Sequence, residues 1–176
     1  MKAVANSTPL IYLAKASALH LLSSVYGEIL IPEAVYREVV VAGLEKGYRD
    51  AELVKAAIEK GSIRVEKAHS KNVDRILKLV PMLHRGEAEV LALALYHRPC
   101  HVLLDDRIAR LVARTLRLEV HGTLYVVIVA ATKGFVTVKE ALKVLDRLVA
   151  SGFRIPVELY LEAKERIRKL KLLERT

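Results

Sequence analysis

Cysteine occurs once in the chain, at Cys100, asparagine only at Asn6 and Asn72, and glutamine not at all. A single thiol excludes an internal disulfide and offers no zinc-ligand spacing, which fits a reducing compartment. Scarce Asn, Gln, Met and Cys beside abundant Arg, Lys and Glu is a compositional bias of thermophilic sources. Long apolar runs are missing too. The longest, Leu124 to Ala131, falls far short of the roughly 18 residues a membrane span needs, and the run after Met1-Lys2 is too short for a signal peptide. A soluble, cytoplasmic protein is expected. No Gly-rich phosphate loop follows the first apolar run, no G-x-x-x-x-G-K-[ST] is present, and "ANSTPL" lacks Asp-x-Asp, which argues against a nucleotide-binding or phospho-transfer enzyme. Repeats, low-complexity tracts and Pro/Gly/Ser-rich linkers are also absent.

What remains is a chain of 176 residues, 53% apolar, with a formal net charge of +9. That length suffices for one buried core and is short for two ordinary domains. The charge favours a polyanionic partner, nucleic acid first and an anionic protein second.

Strand-like and helix-like runs alternate. Lys2 to Ala5 reads as a strand, and "TPLIYLAKASALHLLSSVYG" as helix broken around Ser17 and ended by Gly27. "EILI" is a buried strand, and "PEAVYREVVVAG" a helix with proline in its first turn and Gly43 at its close. "RDAELVKAAIEKG" is helical, "SIRVEKA" a strand, and "NVDRILKLVPML" a helix interrupted at Pro81. "HRGEAEVLALALYHRP" is apolar nearly all round after its first turn and so central; "HVLLDD" is a strand ending in two aspartates. An amphipathic helix "RIARLVARTLR", a strand "LEVHG", a buried helix "TLYVVIVAATKG" and two further helices complete the chain. Such alternation predicts an α/β three-layer sandwich, a central parallel sheet with helices on both faces.

In such sheets, sites form beyond the carboxyl ends of the strands. Asn6, Ser7 and Thr8 follow the first strand, Asp105 and Asp106 follow "HVLL", Glu87 and Glu89 stand in the first turn of a helix, and Glu38 sits among apolar neighbours. Each has a plain structural reading. Glu87 and Glu89 favour a helix N-terminus through its dipole, Asp105 or Asp106 caps the next helix, Glu38 pairs with a neighbour such as Arg37, and Asn6 bonds the local backbone in a turn.

Taken together, "VANSTPLIYLAKA", "GEILIPEAVYREV", "HRGEAEVLALAL", "HVLLDDRIARLVART" and "LEVHGTLYVVIVAATKG" resemble, in this order and spacing, the PIN-domain nucleases, above all a branch related to VapC-type toxins. The resemblance covers about Val4 to Phe153. It implies a PIN domain over residues 1–155, with 156–176 as a basic helix packed on or extending from it. It also implies an acidic pocket for Mg²⁺ or Mn²⁺, RNA as substrate, a small antitoxin partner and homodimers. Carried over by position, the metal ligands fall on Asn6, Glu38, Glu87 with Glu89, and Asp105 with Asp106; Glu38, Glu87 and Asp105 are the catalytic acids, with Ser7 and Thr8 in support. The chain departs from the pattern at Asn6, where aspartate is usual.

Clustered carboxylates suit hard, oxygen-preferring cations, and such an ion activates water for in-line attack on a phosphodiester. An amide at Asn6 can ligate but brings no charge and accepts no proton. In "DDRIARLVARTLR", Ile108, Leu111, Val112 and Thr115 have the spacing of a core face. Arg107, Arg110, Arg114 and Arg117 form a basic stripe beside the acidic site, suited to a phosphate backbone or simply to solvent. Two functions stay open: a metal-dependent endoribonuclease of toxin type, weakened by Asn6, and a non-cleaving PIN fold that binds RNA or protein.

Overall fold

The computed structural model describes residues 1–173, with side chains as far as Leu170. Its strands are β1 (Lys2–Ala5), β2 (Glu28–Pro32), β3 (Ile63–Glu66), β4 (His101–Leu103) and β5 (Glu119–His121). All pair in parallel, in the order β3-β2-β1-β4-β5. Ala3, Val4, Ala5, Ile29, Leu30, Ile31, Val102 and Leu103 are completely buried, because a parallel sheet needs helices on both faces.

The helix α7 (Arg85–Tyr96) packs across β1, β2 and β4, with α6 (Ser70–Leu79) against it. Right-handed crossovers put α1 (Ser7–Lys15), α2 (His20–Tyr26) and α5 (Arg49–Glu59) on the other face. There α9 (Thr123–Thr132) packs on α1 and α2, and α10 (Val138–Ala150) on α1 and α9. The last helix, α11 (Val157–Leu173), packs on α9 and α10, burying Ala163 and Ile167. The end of the expected basic helix, residues 174–176, lies outside the described residues. Among the described residues no helix is long and apolar enough to cross a membrane.

The chain steps outward from β1 to β2 and β3, then returns to β4 and β5. The connections leaving β1 and β4 therefore diverge, opening a crevice beyond their carboxyl ends. Local signals set the breaks. Ser17 takes a left-handed φ of 57° between α1 and α2, and Val80 leaves the helical region before Pro81, with φ −135° and ψ 79°, ending α6, since the proline ring disfavours a helical predecessor.

Two details differ from expectation. The helix after β2 is α3 (Glu33–Tyr36), a π-helical turn (Arg37–Val41) and α4 (Ala42–Glu45), so it contains a wide turn around Glu38. It then runs so close to α5 that a Cβ on Gly43 would stand 2.6 Å from that of Ala51. Helix α8 (Arg107–Thr115) buries Ala109 and Ala113, with Val112 half-buried, instead of the face of Ile108, Leu111, Val112 and Thr115. Leu111 is 63% exposed and Ile108 37%. Alanines four residues apart let the helix lie close to the core, and that approach turns the larger side chains outward.

Candidate active site at the carboxyl edge

Asn6, Ser7 and Thr8 follow the carboxyl end of β1, and Asp105 and Asp106 follow that of β4. After β1, Asn6 stands at the N-cap position of α1 with φ −84° and ψ 175°, and its amide N–H donates to the Leu103 carbonyl at the end of β4, 3.0 Å away. Its side chain makes no capping bond, so the local turn role expected of an asparagine is not what holds it there. Ser7 is buried and its hydroxyl donates to Glu38 Oε2 at 2.6 Å. Thr8, half-buried, follows in the same turn. The π-helical turn thus carries Glu38 to the end of β1; such turns interrupt helices frequently at functional positions.

Past β4, Asp105 is held on both oxygens. Oδ1 accepts from the Thr123 amide at 2.9 Å and Oδ2 from the Thr123 hydroxyl at 2.6 Å. Burial pushes this carboxyl above its usual range, against the lowering pull of the two Thr123 bonds and of the Arg110 guanidinium. Gly122 makes the approach possible, since a Cβ there would lie 2.8 Å from Asp105 Oδ1. Asp106 is turned to a structural task, accepting from the Ala109 amide at 2.8 Å as N-cap of α8.

The two glutamates of α7 divide in the same way. Glu87 closes a capping box by accepting from the His84 amide at 3.0 Å. Glu89, only 12% exposed, accepts from the Ala34 amide in the first turn of α3, just past β2, at 3.1 Å and from Arg85 Nε at 3.1 Å. Glu89 therefore faces the strand ends, and Glu87 secures the turn that presents it. No three of these acids bring ligand oxygens within 4.8 Å of one another among the described residues; their oxygens are engaged by N–H and O–H donors of the chain.

The arginines separate. Arg107 and Arg114 are exposed on α8. Arg110 turns inward, half-buried, its Nε without a hydrogen-bond partner. It lines a groove of about 310 Å³ with Asp105, Tyr125, Arg154 and Arg166. Arg117 falls beyond the helix end with φ 57° and lines a different depression with Met1, Lys2 and Glu119, at the amino edge of the sheet. It is cut off from the stripe because nine residues of helix carry the chain back across the sheet. Sequence spacing did not reveal Gly122 or Thr123; a Gly-Thr pair directly after the strand beside Asp105 was the available signal.

A parallel sheet with an acid-bearing carboxyl edge at its switch point defines a class of α/β proteins. A family model described as a PIN domain matches residues 2–169, and the chain belongs to that family, whose members are typically divalent-metal-dependent and nuclease-type. No curated protein matches the chain.

Proposed function

We propose that this edge is the site of a metal-dependent endoribonuclease of VapC-like toxin type, its activity weakened by Asn6. The observation that supports the reading is the pair of anchored carboxylates at the ends of β1 and β4, Glu38 held by Ser7 and Asp105 by Thr123, with the Asn6 amide bonded to Leu103 between the two strands. The donor set fits Mg²⁺ or Mn²⁺: an amide and carboxylates, oxygens throughout. Asn6, Glu38, Glu89 and Asp105 would hold the ion, with Glu87 and Asp106 fixing the helix starts beside it. When bound, such an ion supplies an activated water and polarises the scissile phosphate.

The chain's own residues do the rest. Ser7 orients Glu38, and Thr123 and Gly122 fix Asp105, so that both carboxylates keep their direction without an ion. Each carboxylate retains lone pairs beyond those already used. Arg110, Arg154 and Arg166 along the groove that starts at Asp105, with Arg114 on the same helix as Arg110, would take the RNA phosphates. Asn6 supplies an oxygen but neither charge nor a proton acceptor, which is the physical reason for reduced turnover. The same reading brings a small antitoxin protein and a homodimer, the latter checked by sedimentation.

The test is cleavage of one RNA by tag-free protein with Mg²⁺, Mn²⁺ or chelator, for the wild type and for Glu38→Gln. Metal-dependent cleavage lost in Glu38→Gln supports the reading. Binding of RNA with no metal-dependent cleavage, even after Asn6→Asp, would establish the non-cleaving RNA-binding module instead.

A further inference from the structure

His101 pairs with Glu119 and Leu103 with His121 across β4 and β5, so His101, Glu119 and His121 project from one face of the sheet. Glu119 Oε1 lies 3.4 Å from His101 Nδ1 and 3.3 Å from His121 Nε2. These three form the one group of His, Cys, Asp or Glu among the described residues with all ligand atoms within 4.8 Å. Both imidazoles are nearly enclosed, at 16% and 14% exposure, while the carboxylate opens to solvent at 63%.

Two polar atoms in this pocket have no hydrogen-bond partner: the Tyr26 hydroxyl, and His101 Nδ1, whose 3.4 Å approach to Glu119 lacks hydrogen-bond geometry. Tyr26 is 2% exposed, its ring 5.1 Å from that of His101. Its hydroxyl is therefore a buried donor beside the group with no acceptor of its own. Tyr125 stacks on His121 at 3.8 Å and 9°, fixing that ring. Buried polar atoms are nearly always satisfied in folded chains, and a bound ion with its water would satisfy both.

We propose that His101, Glu119 and His121 bind a divalent transition metal of the zinc class, at a site separate from the carboxyl edge. Two imidazoles and a carboxylate are a borderline donor set that selects Zn²⁺ over Mg²⁺. Ligands about 2.0–2.1 Å from a tetrahedral ion stand roughly 3.3 Å apart, close to the spacings from Glu119 to each ring nitrogen. Three protein ligands leave a fourth position for water, to which Tyr26 would donate. The ion would clamp the short edge strand β5 to β4, two residues before Thr123 reaches Asp105.

Tag-free protein stripped with chelator is titrated with Zn²⁺, Co²⁺ and, separately, Mg²⁺. One equivalent of Zn²⁺ per chain is expected, with a Tm rise of roughly 5–10 °C at a hundredfold excess over Kd and the visible absorption of tetrahedral Co²⁺. Affinity should fall at least about tenfold in His121→Ala and in Glu119→Gln, and stay unchanged in Glu38→Gln. Glu119 faces solvent, so its variant keeps the fold. Equal Zn²⁺ binding by wild type and Glu119→Gln, loss of it in Glu38→Gln, or a Zn²⁺ response no larger than that to Mg²⁺ overturns the site.

Discussion

The ends and the face of β4 and β5 carry two polar clusters of opposite character. At the ends, Asp105 has both oxygens matched by Thr123, and neighbouring Glu38 is matched by Ser7. On the face, a carboxylate meets two imidazoles, and a ring nitrogen and a phenol are left without partners. The difference follows from position. Beyond a strand end the backbone no longer pairs across the sheet, so free N–H groups and hydroxyls at the following helix start are available to hold anions. On the face, burial under α2 and α9 favours side chains that stay neutral and stack, histidine and tyrosine among them. The same two strands thus offer an all-oxygen set at one place and a nitrogen-rich set less than a strand length away.

The largest expected effect breaks the balance at the ends. Asn6→Asp restores a charge and a proton acceptor without changing side-chain size. RNA cleavage with Mg²⁺ or Mn²⁺ should rise at least tenfold, and up to about 10²-fold, read as initial rate on one RNA. Metal affinity should rise with it, while the Tm in chelator falls slightly, because a further carboxylate joins the acidic edge. No gain in a well-folded Asn6→Asp protein would place the limit elsewhere than residue 6.

Gly122→Ala acts on the same edge by geometry alone. Its new Cβ would meet Asp105 Oδ1 at 2.8 Å, so the carboxylate must leave the Thr123 amide, at a cost of about 1–3 kcal/mol in unfolding free energy. Chemical denaturation measures the loss, and cleavage by the Asn6→Asp chain should drop in parallel. Zn²⁺ binding at the face should survive, which separates the two clusters.

The parallel sheet and the alternation of helices with its strands were legible because periodicity and punctuation are local. "HVLL" before Asp105 marks a strand end without help from the rest of the chain. What needed three dimensions stayed hidden. His101 lies 18 and 20 residues from Glu119 and His121, and only the β4–β5 register joins them. The rotation of α8 was ambiguous because Ile108, Ala109, Leu111, Val112 and Ala113 spread apolar character around much of the helix, and close packing chose the alanines. Whether Glu87 or Glu89 faces the strand ends was undecidable from spacing, since both stand in or beside the same turn; the capping box resolved it.

A pH titration of stability sharpens the contrast further. Asp105 has a folded pKa above its unfolded one, so the folded chain holds the proton more tightly. Its contribution to stability is then greatest at low pH and declines as pH rises from about 4, the ordinary aspartate value, through the raised folded value, and is level above it. In Asp105→Asn this decline should flatten in chelator. Adding Mg²⁺ at neutral pH should raise the Tm of the wild type and leave that of Asp105→Asn nearly unchanged.

The smallest effect concerns the arginines, and it asks which edge the polyanion follows. Arg110 and Arg114 lie on α8, Arg110 against Asp105, whereas Arg117 belongs to the amino edge near Met1 and Lys2. Each phosphate contact releases counterions, so losing one reduces the slope of log K against log salt by roughly 1. Arg114→Ala, made on an exposed side chain, should lower that slope by about this amount with no change in Tm. Arg110→Ala should do the same and also raise the Asp105 pKa further, since the guanidinium pulls it down; the decline of stability with pH would then extend upward. Arg117→Ala should change neither slope nor pH profile. Filter-binding of one RNA between low and moderate salt distinguishes the three, and a slope change confined to Arg117→Ala would move the RNA path to the amino edge, away from the acids.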